Sequence, residues 1–229
     1  MPKNKDEIRM EKKPYEEWWD NNLDKDYYLH KGEKVAAPSI ENFEQWMGES
    51  MAPDRVFIRA LVKDYDSLLD AGCGGCPEYF GLQALGSSIK YTGVDITKKL
   101  VDYNISRRIS CEWASLNDLP FEDNSFDCVI SRHVVEHMSN IETPLLELIR
   151  VAKKKVLISF FINPMDNKTN NHIITLDDEG TNQECYHNMY SYSKVSSLLD
   201  QNVKVESFSF EKLLVGTTKS FLTINIVND

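Results

Sequence analysis

The stretch Leu68-Leu69-Asp70-Ala71-Gly72-Cys73-Gly74-Gly75-Cys76 constrains this chain more than any other. A short apolar strand runs without a break into closely spaced glycines, which ends the strand abruptly and brings bare backbone up to a ligand. Alone this is a weak signal, because several nucleotide-binding folds share it. Two details narrow it. The Gly-x-Gly-x-x-Gly of a dinucleotide turn fails, since Pro77 holds the last position. Asp70 stands two places before the first glycine, where a phosphate-binding loop gains nothing from negative charge. A carboxylate there suits a cationic ligand, such as a sulfonium or an α-amino group.

From about residue 67 to 162, apolar strands alternate with helices. Ser67-Leu68-Leu69-Asp70-Ala71 reads as the first strand and Tyr91-Thr92-Gly93-Val94-Asp95 as the second. Ser110-Cys111-Glu112-Trp113 is a weaker third, Phe126-Asp127-Cys128-Val129-Ile130-Ser131 a fourth, and 155–162 a fifth. Between the last two, Thr143-Pro144 supplies a cap and a first-turn proline for a helix, with Leu145, Leu148, Ile149 and Ala152 as its buried stripe. Such alternation predicts an α/β fold with a parallel sheet covered on both faces.

The two ends read differently. Residues 1–66 carry helical spacing and no clear strand: Tyr15, Trp18, Trp19 and Leu23, then Ile40, Phe43 and Met47, then Val56, Ala60 and Leu61. They are expected to form an N-terminal helical cap. Residues 67–229 form the main domain, with a polar excursion of about 163–190 as an insertion or lid. A helix follows with Val195, Leu198 and Leu199 on one face. Two β-rich stretches close the chain, the second placing Leu222, Ile224 and Ile226 together.

Asp95 ends the second strand, and an ionised carboxylate has two oxygens able to accept both hydroxyls of a ribose. The third piece is Leu119-Pro120-Phe121-Glu122-Asp123-Asn124-Ser125-Phe126-Asp127, followed by Ser131-Arg132-His133-Val134-Val135-Glu136-His137. In this order and spacing, residues 68 to about 161 resemble the class I S-adenosylmethionine-dependent methyltransferases, in particular their small-molecule branch. The resemblance implies a three-layer Rossmann-like sandwich with a seven-stranded, mostly parallel sheet and an antiparallel last strand. It also implies S-adenosyl-L-methionine as cofactor. Asp70 would hold the methionine amine, while Ala71, Gly72, Cys73 and Gly74 form the turn that lines the methionine portion. Asp95 would take the ribose hydroxyls and Ile96 would pack on adenine. Ser115 stands where the family normally has an aspartate toward the adenine amino group, and the backbone of Leu116 would face the ring. Cys76 stands where a third glycine is usual, and a tighter turn is expected there.

Methyl transfer is an in-line displacement, so the protein mainly aligns a nucleophile and, for a hydroxyl, removes its proton. His133 is the candidate base. His137 is expected to hold the loop and Arg132 to contact the cofactor or orient an anionic group; His187, on the excursion, is a lesser alternative for reaching the pocket. The expected reaction moves a methyl group to oxygen or nitrogen of a small molecule, such as a sugar or secondary metabolite. The alternatives are a non-catalytic binding module of the same fold and a protein or nucleic-acid methyltransferase. Against the last stand the net charge of −10 and Ser131-Arg132-His133-Val134 in place of a D/N-P-P-Y/F motif. The five cysteines are an odd number, expected to be reduced and mostly buried. Cys73 and Cys76 form one C-x-x-C without a second pair or a histidine pair beside it, so no metal is expected. A polar N-terminus and the lack of a long apolar run predict a cytoplasmic protein without a membrane span.

Overall fold

A computed structural model of the 229-residue chain describes residues 23, 27–30, 33–36, 39–40, 52–161, 163–166, 173–176, 183–186, 188–212 and 220–227. The expected helices at Tyr15–Leu23 and Ile40–Met47, and His187, lie largely or wholly outside these. In chain order the elements are β1 (Tyr27–His30), β2 (Glu33–Ala36), α1 (Pro53–Val62), β3 (Ser67–Ala71), α2 (Pro77–Ala84), β4 (Lys90–Asp95), α3 (Lys98–Ser106) and β5 (Cys111–Trp113). Then come β6 (Phe126–Arg132), a single 3-10 turn (Val135–His137), α4 (Glu142–Val151), β7 (Ala152–Phe160), β8 (Ile173–Leu176), β9 (Gln183–Tyr186), α5 (Tyr192–Asp200), β10 (Val205–Lys212) and β11 (Ser220–Ile226).

Seven strands form the central sheet in the order β10-β11-β7-β6-β3-β4-β5. The pairs from β7 to β5 are parallel, and β11 runs antiparallel to both β7 and β10. Strand alternation sorts the apolar side chains onto two faces. Leu68, Cys128, Ile130, Leu157 and Phe221 face Ile58 and Val62 of α1, Leu82 of α2 and Val101 of α3. Leu69, Val129, Val156, Ile158, Leu222, Ile224 and Ile226 face Leu145, Leu148 and Ile149 of α4 and Val195 and Leu199 of α5. The result is the expected three-layer sandwich. Phe160 and Phe221 are fully buried on opposite faces, each stabilising the fold by about 1.5–3 kcal/mol through lost apolar exposure.

Four expectations change. Residues 27–36 are an antiparallel hairpin, with Tyr27 opposite Ala36 and His30 opposite Glu33, not helix. Helix α1 exists, but Val56 and Leu61 are exposed; its inward face is Asp54, Arg55, Ile58, Arg59 and Val62. The apolar periodicity misses this face because its charges pair with Glu78 of α2 and with Arg132 and His133 at the end of β6. The excursion contains a hairpin of its own, β8 with β9. Helix α4 begins before Thr143, whose amide bonds Asn140 Oδ1 at 3.1 Å, and Ala152 already opens β7.

Candidate functional site

The crossover strands all end at one edge, and the turn after β3 occupies its middle. Gly72 has φ +84°, and a Cβ there would meet Val134 Cγ2 at 2.3 Å, so only glycine fits beneath the segment that follows β6. Gly74 (φ +53°) and Cys76 (φ +59°) are also left-handed. Cys76 thus keeps the backbone a glycine would adopt while adding a buried thiol, and Pro77 opens α2 behind it. The amides of Gly72 and Cys73 both bond Val94 O, at 2.8 and 3.0 Å, tying the turn to β4. On the other side Asn104 Nδ2 donates to Gly74 O at 2.7 Å and an Arg107 guanidinium nitrogen donates to Gly75 O at 3.0 Å.

Two carboxylates flank this turn. Asp95 Oδ2 accepts the Gly74 amide at 2.8 Å and Oδ1 accepts the Thr97 amide at 2.9 Å. Each oxygen keeps a further lone pair. Burial raises the Asp95 pKa, partly countered by those amide bonds. Asp70 accepts Tyr91 Oη–H at 2.7 Å. Burial, reinforced by Glu78, lifts its pKa from 3.8 to about 7, against the pull of the Tyr91 bond and Arg55. A buried carboxylate this hard to ionise favours a cation beside it. Ile96 is half-buried, and its carbonyl accepts the Nε1–H of the exposed Trp113 at 2.8 Å. Ser115 Oγ accepts the Asn117 amide at 3.3 Å in the turn that buries Leu116. Asp70, the 71–74 turn, Asp95, Ile96, Ser115 and Leu116 therefore all end or follow β3, β4 or β5 at one sheet edge. Trp113 is the neighbour that sequence reading left without a role, although it ends the weak third strand.

The second half of the edge follows β6. Arg132 Nε donates to Asp54 Oδ2 at 2.6 Å, and His133 Nε2 lies 3.4 Å from the same oxygen. Burial, with Arg55 nearby, lowers the Arg132 pKa from its usual value. His133 has φ +58°, and its ring meets Phe161 edge-on at 5.7 Å. Behind Asp54, Glu78 takes Arg55 on Oε1 and Arg59 on Oε2, the latter at 2.7 Å. Gly81 leaves room for Arg59, whose Cζ would lie 2.1 Å from a Cβ there. Asp54, Arg55, Arg59 and Glu78 form a buried charged layer between α1 and α2, and nothing in the apolar pattern announces them. His137 stacks on Phe161 at 5.2 Å and its Nδ1 bonds Tyr186 O at 2.9 Å, which fits the loop-holding role. Asn188 N donates to Glu136 O at 2.8 Å, Tyr190 Oη donates to Val135 O at 2.9 Å, and Glu136 Oε1 accepts the Phe161 amide at 2.7 Å. The foot of the excursion is thereby fastened beside His133.

The third cluster is sulfur. Cys73 and Cys76 from the turn converge on Cys111 of β5, with Sγ···Sγ separations of 3.7 and 3.6 Å. Contacts with the two other thiols lower the Cys111 pKa, while the contact with Cys111 raises those of Cys73 and Cys76.

Residues 69–160 match the family model described as a methyltransferase domain. The ajmaline N-methyltransferase of Rauvolfia serpentina is 29% identical over 93 residues, covering 38% of this chain and 32% of that protein. The 2-phytyl-1,4-naphtoquinone methyltransferase of Trichormus variabilis is 29% identical over 131 residues, 51% of this chain and 56% of that one. The match thus spans from a third to little more than half of these relatives' length. Among solved structures, the magnesium protoporphyrin IX methyltransferase of Synechocystis PCC 6803, with bound SAM, superposes with a TM-score of 0.53 at 16% identity, covering 80% of this chain and 82% of that one. Over residues 69–160, then, this chain carries a stretch similar to the methyltransferase-domain family, on the sheet architecture of that solved structure.

Proposed function

We propose that the chain moves a methyl group from S-adenosyl-L-methionine to an oxygen or nitrogen of a small molecule. The observation that carries the reading is the pair of buried carboxylates, Asp70 and Asp95, on either side of a turn with no side chain at Gly72 or Gly74. That donor set suits a ligand bearing a cationic amine at one end and a vicinal diol at the other. Asp70 faces the amine, the 71–74 turn lines the methionine chain, and Asp95 accepts the ribose hydroxyls. Ile96, Trp113, Ser115 and Leu116 bound the adenine. Arg132, committed to Asp54, shapes the methionine end through that pair and does not offer a free charge.

When bound, the cofactor would supply an electrophilic methyl group on a sulfonium. The protein's part is alignment, exclusion of water and proton removal. His133 stands at the β6 end with the Asp54 carboxylate behind its Nε2, an arrangement that favours an imidazole taking up a proton from an acceptor hydroxyl or amine. The β8–β9 pair, fastened through His137 and Tyr186, would bound the acceptor.

The named relatives support a small-molecule acceptor: one is named an ajmaline N-methyltransferase and one a 2-phytyl-1,4-naphtoquinone methyltransferase. The net charge of −10 weighs against a nucleic-acid acceptor. Among the described residues no helix is long and apolar enough to cross a membrane, which is compatible with the cytoplasmic placement we propose. Incubation with methyl-labelled cofactor and a panel of phenols, quinols, hydroxylated sugars and amines tests the reading. Label is expected on a small acceptor's oxygen or nitrogen. Label only on protein or nucleic acid, in a mixture that offers all three, would contradict it.

A further inference from the structure

Cys73, Cys76 and Cys111 lie within 4.8 Å of one another at sulfur, and all three are buried. Two come from the left-handed turn and the third from β5, with β4 between. Three details argue that the arrangement is more than apolar filling. First, the two Sγ···Sγ separations from Cys111, 3.7 and 3.6 Å, approximate the edge of a thiolate tetrahedron; with metal–sulfur bonds of about 2.3 Å that edge is about 3.8 Å. Second, Gly93 of β4 leaves the space the sulfurs fill. A Cβ there would stand 2.7 Å from Cys73 Sγ and 2.8 Å from Cys111 Sγ. Third, Cys76 holds φ +59°, a left-handed conformation that residues with a Cβ rarely adopt. Glycine would fit the turn more cheaply, yet a thiol stands there.

We propose that Cys73, Cys76 and Cys111 bind one thiophilic divalent cation, zinc in particular. Three protein ligands with a fourth place for water is an established zinc coordination, and thiolates select zinc and copper(I) over hard ions. Each ligating thiol releases its proton to solvent on binding. The ion would clamp the turn to β5 across β4 and hold Gly74 against Asp95 whether or not a methyl group is ever transferred. The sequence conceals this site because C-x-x-C has no partner pair; its third ligand stands alone on a strand that becomes adjacent only in the sheet.

The test is titration of the reduced 229-residue chain with Cd2+, followed by its thiolate charge-transfer absorbance, and X-ray absorption of the Zn2+ form. One ion per chain is expected, with three sulfur neighbours, and Zn2+ should raise the melting temperature by ~5–10 °C at a hundredfold excess over its Kd. Cys111→Ser should weaken binding at least ~100-fold, while Cys128→Ser, which alters a buried thiol of β6 outside the trio, should leave it unchanged. Fewer than three sulfur neighbours in the wild-type chain overturns the proposal, a result that does not depend on any variant folding. So does binding that survives Cys111→Ser, or a disulfide mapped among the three positions in chain isolated without reductant.

Discussion

The two halves of the sheet edge are built from different materials. After β3 and β4, the site is backbone: bare glycines, amides converging on Asp95, and carbonyls fixed by Asn104 and Arg107. After β6 it is side chains, and the groups that fix them come from far away. Asp54 reaches Arg132 and His133 from α1, and Tyr186 reaches His137 from the excursion. A cofactor shared by a whole family can be held by the first kind of construction, because backbone does not vary with sequence. An acceptor that differs between members needs the second, where a change in a distant segment re-aims a side chain. The difference predicts that the β6 half fails by destabilisation when a partner is removed, and that the β3–β4 half fails by loss of ligand.

The largest effect is expected at Asp54, which is fully buried between Arg132 and His133. Asp54→Ala leaves the Arg132 charge buried and unpaired, and should cost about 3–5 kcal/mol in denaturant unfolding. A smaller loss would mean that the two halves are not held differently. Asp70 comes next. Its folded pKa, about 7, lies above its unfolded value, so the fold holds the proton more tightly than the unfolded chain does. That contribution is complete below about pH 4 and is lost as pH rises through 7, amounting to roughly 4 kcal/mol at most. The unfolding free energy of Asp70→Asn relative to wild type should therefore rise between pH 4 and 7. Binding of a cationic amine should do the reverse and tighten as Asp70 ionises over that range.

On the ligand side, Asp95→Ala should weaken S-adenosylhomocysteine in calorimetry by about 100-fold, the loss of charge-assisted bonds to the ribose and to the turn amides. Asp95→Asn, which keeps the shape, should lose less. The smallest effect is assigned to Trp113→Ala, which removes one bond to the Ile96 carbonyl and a wall of the adenine place. A threefold to tenfold weakening is expected, about 1 kcal/mol, with no change in the affinity of ligands lacking the base.

What the sequence made legible follows the same division. The β3 turn, Asp95 and the β6 run were readable because their signals are local: strand alternation, adjacent glycines, and a carboxylate at a strand end. The mostly parallel seven-stranded sheet with its antiparallel end followed from the α/β alternation and the family resemblance. The inward face of α1 was not readable, since Asp54, Arg55 and Arg59 look like solvent residues until Glu78, Arg132 and His133 arrive from other elements. Val56 and Leu61 drew the eye to the wrong side for the same reason. The 27–36 hairpin lay inside a stretch whose aromatic spacing suggested helix, and Cys111 joins the C-x-x-C only through the parallel pairing of β4 with β5.

The central claim is that the edge formed by β3 and β4 is a nucleoside and amino-acid site organised by Asp95 and Asp70. A crystal structure of the chain grown with S-adenosylhomocysteine tests it most directly. The account predicts the ligand across the Gly72–Gly74 turn, both ribose hydroxyls within hydrogen-bond distance of the Asp95 carboxylate, and the α-amino group on the Asp70 side. A ligand bound elsewhere, or one whose ribose does not touch Asp95, would contradict it.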